Sequence, residues 1–390
     1  MKLTHALSIS TILGSLFFSV GIDAAVNSPV ANAAVVVVRT TCVEGGVEIK
    51  DCFNQIASLN DWINNVRRPN VTQPLLVDIG PGRFTDSGIW LRCASAPKSI
   101  GNITFRGSGK DVTIINAGLA FFNERCGDIS VQDITFDSRT SGDPGIWAIK
   151  WHGDGNSNWS NVNSIGLYGW VDSTCTPGVP RAKHYWSGSR IVGAFRGYLS
   201  SCGESWILGS EIAVQGNDST LGHALIAGGG SEVHVYGSAI RAIAQPGVSF
   251  APAGPTGNGG GGSGLAAVFV KEGANIHIHG TGIDVIGNSL PNNVAALMAT
   301  GGGRIHANES SFNLSTGQGG TVYRIINSGG HVHSPYLWEH PPTDYRLVSA
   351  HGADLAIFAD QPNPRLLIYS ENCTGSGGPW FDPIANQCRP

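Results

Sequence analysis

The stretch from Asp128 to Asp154 gathers residues able to do acid–base and metal chemistry. It holds Asp128, Asp133, Asp137, Arg139, Asp143, Lys150, His152 and Asp154. Carboxylates such as Asp133, Asp137 and Asp154 are hard oxygen ligands that suit Ca²⁺. Lys150, Arg139 and His152 can accept a proton or hold a negative charge in place. If residues 146–152 are extended, Lys150 and His152 fall on one side, because strand side chains alternate. Together these types suit proton abstraction beside a sugar carboxylate, the step that opens a β-elimination. Asp is also an ordinary turn residue, and on that reading the same set is scattered among turns.

A second group is aromatic. Six of the ten Trp fall between residues 147 and 206: Trp147, Trp151, Trp159, Trp170, Trp186 and Trp206. Indole faces pack on the C–H faces of sugars and leave a polar edge free. On the outside of a β-structure these rings would line glycan subsites. Inside, they would simply fill the core.

A third group is histidine. Val233-His234-Val235, Ile276-His277-Ile278 and Ile305-His306-Ala307 recur at one offset from a repeated motif, and Val332-His333 follows. Stacked strands lie about 4.8 Å apart, so in-register coils would pile these rings into a column. Such a column is either a stacked polar ladder or a transition-metal site.

The elements that must position these groups are short strands. The chain has 54 Gly in 390 residues, about twice the usual share of about 7%, which disfavours helices. Net charge is −4, from 24 basic and 28 acidic residues, which gives no footprint for nucleic acid. One helix is expected over 51–68, with apolar residues at Phe53, Ile56, Leu59, Ile63 and Val66, a cap at Asp51 and a stop at Pro69. After it, β-rich runs alternate with Gly, Asn, Asp and Ser.

The pattern Gly-Ser/Thr-x-Ile begins at Gly188, Gly209, Gly237 and Gly280, with a degenerate copy at Glu309. The starts are 21, 28, 43 and 29 residues apart, and the long interval contains a Gly-rich insertion over 253–264. A period of this size with several strands per unit describes a β-solenoid, whose stacked coils bury one continuous core. Trp206 occupies the repeat position of His234, His277 and His306, which places it outward. The insertion has no Gly-Lys-Ser/Thr end, so phosphate binding is unsupported and a flap or bare insertion is expected.

Residues 1–24 have the charged start, apolar run and small-residue exit of a signal peptide, cleaved after Ala24 or Ala33. No later segment is long and apolar enough to span a bilayer. Eight cysteines follow: Cys42, Cys52, Cys93, Cys126, Cys175, Cys202, Cys373 and Cys388. An even count in an exported chain predicts disulfides. Local pairing in chain order is the simplest arrangement, although spacing alone leaves connectivity open. The expected organisation is a signal over 1–24, an N-terminal segment over 25–50, a solenoid over 51–372 whose helix caps one end, and a disulfide-closed tail over 373–390.

The run Leu75-Leu76-Val77-Asp78-Ile79-Gly80-Pro81-Gly82-Arg83-Phe84, then Ile103-Thr104-Phe105-Arg106-Gly107-Ser108-Gly109, then Asp111-Val112-Thr113-Ile114-Ile115, resembles the opening of the pectin lyase-like superfamily. The resemblance implies an all-β, right-handed parallel β-helix and a function among carbohydrate-active enzymes or non-catalytic adhesins. The motifs Gln-Asp-Thr-Leu, Gly-His-Gly and Trp-Ile-Asp-His of its best-known enzymes are absent from this chain. The expected function is recognition of a polysaccharide by a secreted protein, with β-elimination on an acidic one through Lys150, Arg139 and His152 and with Ca²⁺ on the aspartates. The alternative is an adhesin-like surface or matrix solenoid that binds glycan or protein.

Overall fold

The Gly-Ser/Thr-x-Ile repeat is a corner held by hydroxyl groups. Gly188, Gly209, Gly237 and Gly280 have φ between 51 and 56°, the left-handed region that other residues reach only at a cost. The next residue turns its hydroxyl back and donates to the carbonyl two residues earlier: Ser189 to Ser187, Ser210 to Leu208, Ser238 to Tyr236, Thr281 to His279, all at 2.9–3.0 Å. The same oxygen accepts an N–H from the preceding coil. Val162 donates to Ser189, Ser189 to Ser210 and Ser210 to Ser238, each at 3.1 Å, and Ser238 to Thr281 at 3.5 Å. Ile191, Ile212, Ile240 and Ile283 then point into the core, fully buried.

The protein, known from a computed structural model, is described over residues 33–315 except 45, 68–72, 94–100, 140–145, 154, 174–180, 217–220, 250–253, 257–260, 289–292 and 309; beyond residue 315 the description covers the backbone of strands through 389. Each full coil supplies one strand to a first sheet and a further stretch of strand to each of two more faces. The first sheet runs through Leu75–Ile79, Ile103–Arg106, Ile129–Gln132, Ser157–Ser160, Lys183–Ser187, Glu204–Leu208, Glu232–Tyr236, Asn275–His279 and Arg304–Asn308, every pair parallel. The other faces are halves of one long sheet. Strand Asn163–Asp172 pairs through Asn163 to Ile165 with Thr135–Asp137, then passes an irregularity between Gly166 and Tyr168 and pairs through its second half with Trp147–His152. We call these the second and third sheets. Successive strands of one sheet are joined by crossovers through the other two faces, the connection that is right-handed in nearly all proteins. The fold is therefore the parallel β-helix that the repeat predicts, and the register offsets reproduce the sequence periods: Ser205 pairs with Val233, and Val233 with Ile276.

The insertion is a hairpin. Gly254–Thr256 pairs antiparallel with Gly261 to Ser263 before the strand enters the third sheet. The helix also differs from expectation. An α-turn over Ile56–Asp61 passes into a π-helical turn over Trp62–Arg67. The wider turn rotates the apolar stripe: Ile56, Leu59 and Ile63 are buried, whereas Val66 is turned out and Arg67 is turned in. Asp51 sits in a left-handed turn before the short strand Cys52–Phe53 and does not cap the helix. The acid at the helix start comes from Asp86, which accepts the Ala57 N–H at 2.9 Å.

Cys42–Cys52 and Cys93–Cys126 are bonded as local pairing predicts. Cys202 is also in a disulfide. Cys175, Cys373, Asp154 and the signal region lie outside the described residues. Among the described residues no helix is long and apolar enough to cross a membrane.

Replacing Ser210 by Ala removes the acceptor for the buried Ser189 N–H. It should lower the unfolding free energy by about 1–3 kcal/mol, measured by urea denaturation, and Ser210→Thr should restore most of the loss.

Candidate functional site on the third sheet

The register of the third sheet sorts the side chains on its outer side into rows, half-exposed around Lys150 and buried from His223 onward. One row is Phe122, Lys150, Val171, Leu199, Ile226, Phe269 and Met298. The row at the corner with the second sheet is Leu119, Trp147, Tyr168, Arg196, His223 and Ala266. Glu124 and His152 form the start of another. Gly193 makes the corner possible: a Cβ there would sit 1.7 Å from the Arg196 carbonyl oxygen. Its absence lets strand Arg190–Ser200 fold over and present Arg196.

Lys150, His152 and Trp147 lie together on this face. The Lys150 ammonium sits 4.0 Å from the centre of the Trp147 ring and 6.0 Å from that of Phe122. The cation–π contact holds the charge without neutralising it. The His152 ring meets Phe122 edge-on at 5.3 Å. Burial, and then the Lys150 charge, hold its imidazole below the usual range. His152 is thus a neutral base at pH 7.

Two residues that sequence reasoning missed continue the site along the axis. Arg196 lies 5.6 Å over the Tyr168 ring and 5.1 Å over that of Phe195, and among the described residues its Nε has no hydrogen-bond partner. Burial lowers its pKa. His223 is 1% exposed, and among the described residues neither ring nitrogen has a hydrogen-bond partner. Burial, and then Arg196, push its pKa down to about 3. A signal was present: the repeat aligns His223 with Ala266 and Ala295, so His replaces a small residue. Beyond His223 the face becomes apolar, with Ile226, Phe269 and Met298 buried in a cluster separate from the core.

Other expected residues are placed elsewhere. Trp151, Trp159, Trp170 and Trp186 are at most 1% exposed and stack inside the coils, with Trp159 on Trp186 at 5.0 Å. They fill the core and offer nothing to a glycan. Trp206 points outward from the first sheet as expected. Its ring lies between Tyr185, at 4.8 Å, and His234, at 5.5 Å, so both faces are already covered. The column continues from His234 to His277 at 4.8 Å and to His306 at 4.9 Å. His333 follows His306 in backbone register.

Arg139 makes a two-pronged pair with Asp137, Nε to Oδ1 at 2.9 Å and Nη2 to Oδ2 at 3.0 Å, so its charge is matched. Asp133, in a left-handed turn, accepts from Asn161 Nδ2 at 2.6 Å. Asp133 and Asp137 each serve a separate partner, and among the described residues neither joins a cluster of three possible metal ligands.

The core also contains a Ser–His–Asp sequence of contacts. Ser157 Oγ lies 2.8 Å from His184 Nδ1, and His184 Nε2 lies 3.7 Å from Asp172 Oδ2. The latter is too long for a hydrogen bond. Trp159 Nε1 donates to Ser157 at 2.7 Å, and the Gly203 N–H to Asp172 at 2.7 Å. All three residues are buried. Their roles are structural, because no substrate reaches a hydroxyl enclosed by indoles.

No protein-family model matches the chain, and no curated protein matches it in sequence. Similar solved structures include a pectin methylesterase from carrot, at 11% identity over 78% of this chain and 85% of that chain with a TM-score of 0.38. The Agl-KA catalytic domain is 16% identical over 87% of this chain and 63% of that chain, with a TM-score of 0.39. The A-module of Azotobacter vinelandii mannuronan C-5 epimerase AlgE4 is 12% identical over 72% of this chain and 91% of that chain, with a TM-score of 0.29. At these scores the likenesses say nothing of the site, and the strand pairing itself shows the fold.

His223 gives the site a pH signature. Its native pKa of about 3 lies below the unfolded value of about 6.5. Between these values the unfolded chain binds the proton and the native state does not, so stability falls as pH drops below about 6.5. By pH 5 the His223 share of the loss should be about 2 kcal/mol. The difference in urea stability between the native protein and His223→Ala, measured at pH 7 and pH 5, should shrink by that amount.

Proposed function

We propose that the protein binds an acidic polysaccharide along the outer face of the third sheet and cleaves it by β-elimination. One observation carries the reading: Lys150 and Arg196, both half-buried, stand on aromatic rings along one face, and among the described residues neither is matched by a carboxylate. Cations held on rings and left unneutralised suit a ligand that brings its own carboxylates.

In this reading Lys150 and Arg196 receive sugar carboxylates, and Trp147 and Tyr168 fix the cations. Neutral His152 takes the proton beside the bound carboxylate. The C–H electron pair becomes the new C=C bond, and the glycosidic C–O bond breaks as its oxygen leaves and is protonated from water. Lys150 stabilises the charge that develops on the carboxylate as the proton departs. Lys150 and Arg196 thereby take the electrostatic part expected of Ca²⁺ on Asp133 and Asp137. The disulfides suit an oxidising compartment outside the cytosol, in accord with a secreted protein.

Purified protein should be incubated with polygalacturonate, alginate and glycosaminoglycans, with and without Ca²⁺, and followed by the ultraviolet absorbance of unsaturated products. His152→Ala should lower kcat by about 10²–10⁴-fold. Activity should fall on the acid side as His152 becomes protonated, at a pH below about 6.5. Retention on an acidic polysaccharide without any absorbance gain would reduce the reading to recognition alone, the adhesin-like alternative. Neither retention nor product across the panel would remove both.

A further inference from the structure

The first sheet carries a separate constellation on the opposite flank of the coils. Its outer residues line up in register: Glu204, Glu232 and Asn275 in one row, Trp206, His234, His277 and His306 in the next. Glu232 and His234 are two residues apart on one strand and so point the same way, and His277 lies beside His234 on the next strand. The Nε2 atoms of His234 and His277 converge on a single oxygen. They lie 3.1 Å and 3.8 Å from Glu232 Oε1. One ligand atom from each residue lies within 4.8 Å of the other two. Ligands about 2.0–2.1 Å from a tetrahedral ion are about 3.3–3.4 Å apart, so to hold one the three atoms close by up to about 1.5 Å and the two rings tilt toward each other.

We propose that Glu232, His234 and His277 bind a late first-row divalent cation, Zn²⁺ or Cu²⁺, in an open three-ligand site on the outside of the first sheet. Two imidazoles and one carboxylate are the donor set these ions favour over Ca²⁺ or Mg²⁺. Glu232 is directed only to the two imidazoles, with no Lys or Arg competing for it among the described residues. The stacking holds the two Nε2 atoms on the same side of the ladder, and binding would tilt the rings toward the shared ion. The His234 and His277 rings are within 11° of parallel, and His277 is within 5° of His306. Side-chain exposures of 18% for His234, 29% for His277 and 37% for Glu232 leave the remaining coordination positions open to water. The site is independent of the third-sheet reading and stands or falls apart from it.

The test is titration of chelator-dialysed, full-length protein with Zn²⁺ against a fluorescent zinc indicator, with a parallel Cu²⁺ sample for electron paramagnetic resonance. One saturable Zn²⁺ per chain is expected, weakened at least tenfold in Glu232→Gln and in His277→Gln and unchanged in His152→Ala on the other sheet. The Cu²⁺ spectrum of the unaltered protein should show nitrogen coordination, a readout that needs no variant to fold. The absence of saturable binding at millimolar Zn²⁺, equal affinity in both variants, or an oxygen-only copper spectrum would overturn the proposal.

Discussion

Every coil of this molecule must set its residues directly over those of the coil before it. The strands of each sheet are parallel, so backbone hydrogen bonds form only when equivalent positions lie about 4.8 Å apart along the axis. Everything else is subordinate to that register. The hydroxyl of Ser210 is useful because the Ser189 N–H arrives at the same height. The inward isoleucines make one core because the coils agree on where inward is. A shift of one residue in any coil would turn its core side chains to the outside.

Register also explains why the two outer faces differ. On the first sheet successive coils repeat a similar side chain, so rings stack on rings and their faces are consumed, as for Trp206 between Tyr185 and His234. On the third sheet the row changes character from coil to coil: Trp147, Tyr168, Arg196, His223, Ala266. Among the described residues Arg196 Nε and both His223 ring nitrogens have no hydrogen-bond partner in that row. Repetition makes structure here, and departure from repetition makes a site.

That distinction sets what could be read beforehand. The period was legible because the Gly-Ser/Thr-x-Ile corner needs a left-handed glycine and a hydroxyl at each recurrence. The histidine column was legible for the same reason. Lys150 and His152 could be paired because they share a strand. The tryptophans could not be sorted, since Trp151 and Trp159 look alike in sequence to an outward ring until neighbouring coils fix the alternation. Partners that meet across coils were invisible: Asp133 with Asn161, and Ala57 with Asp86. The π-turn after Asp61 shifted the helix by part of a turn, and only the packed geometry reveals that Arg67 faces in and Val66 faces out.

The hydroxyl ladder has a direction. Each backbone N–H points to the coil that follows, from Val162 to Ser189 and onward to Thr281. At this corner each of these coil junctions is therefore the same contact, one N–H to one hydroxyl. A tandem copy of Gly209 through Tyr236 would offer the Ser210 N–H a second Ser210 hydroxyl and so continue the corner ladder, whereas its third-sheet rows would meet new neighbours. As far as the corner is concerned, length along the axis can change in steps of one coil, and it is the third-sheet rows that limit where a coil can be added.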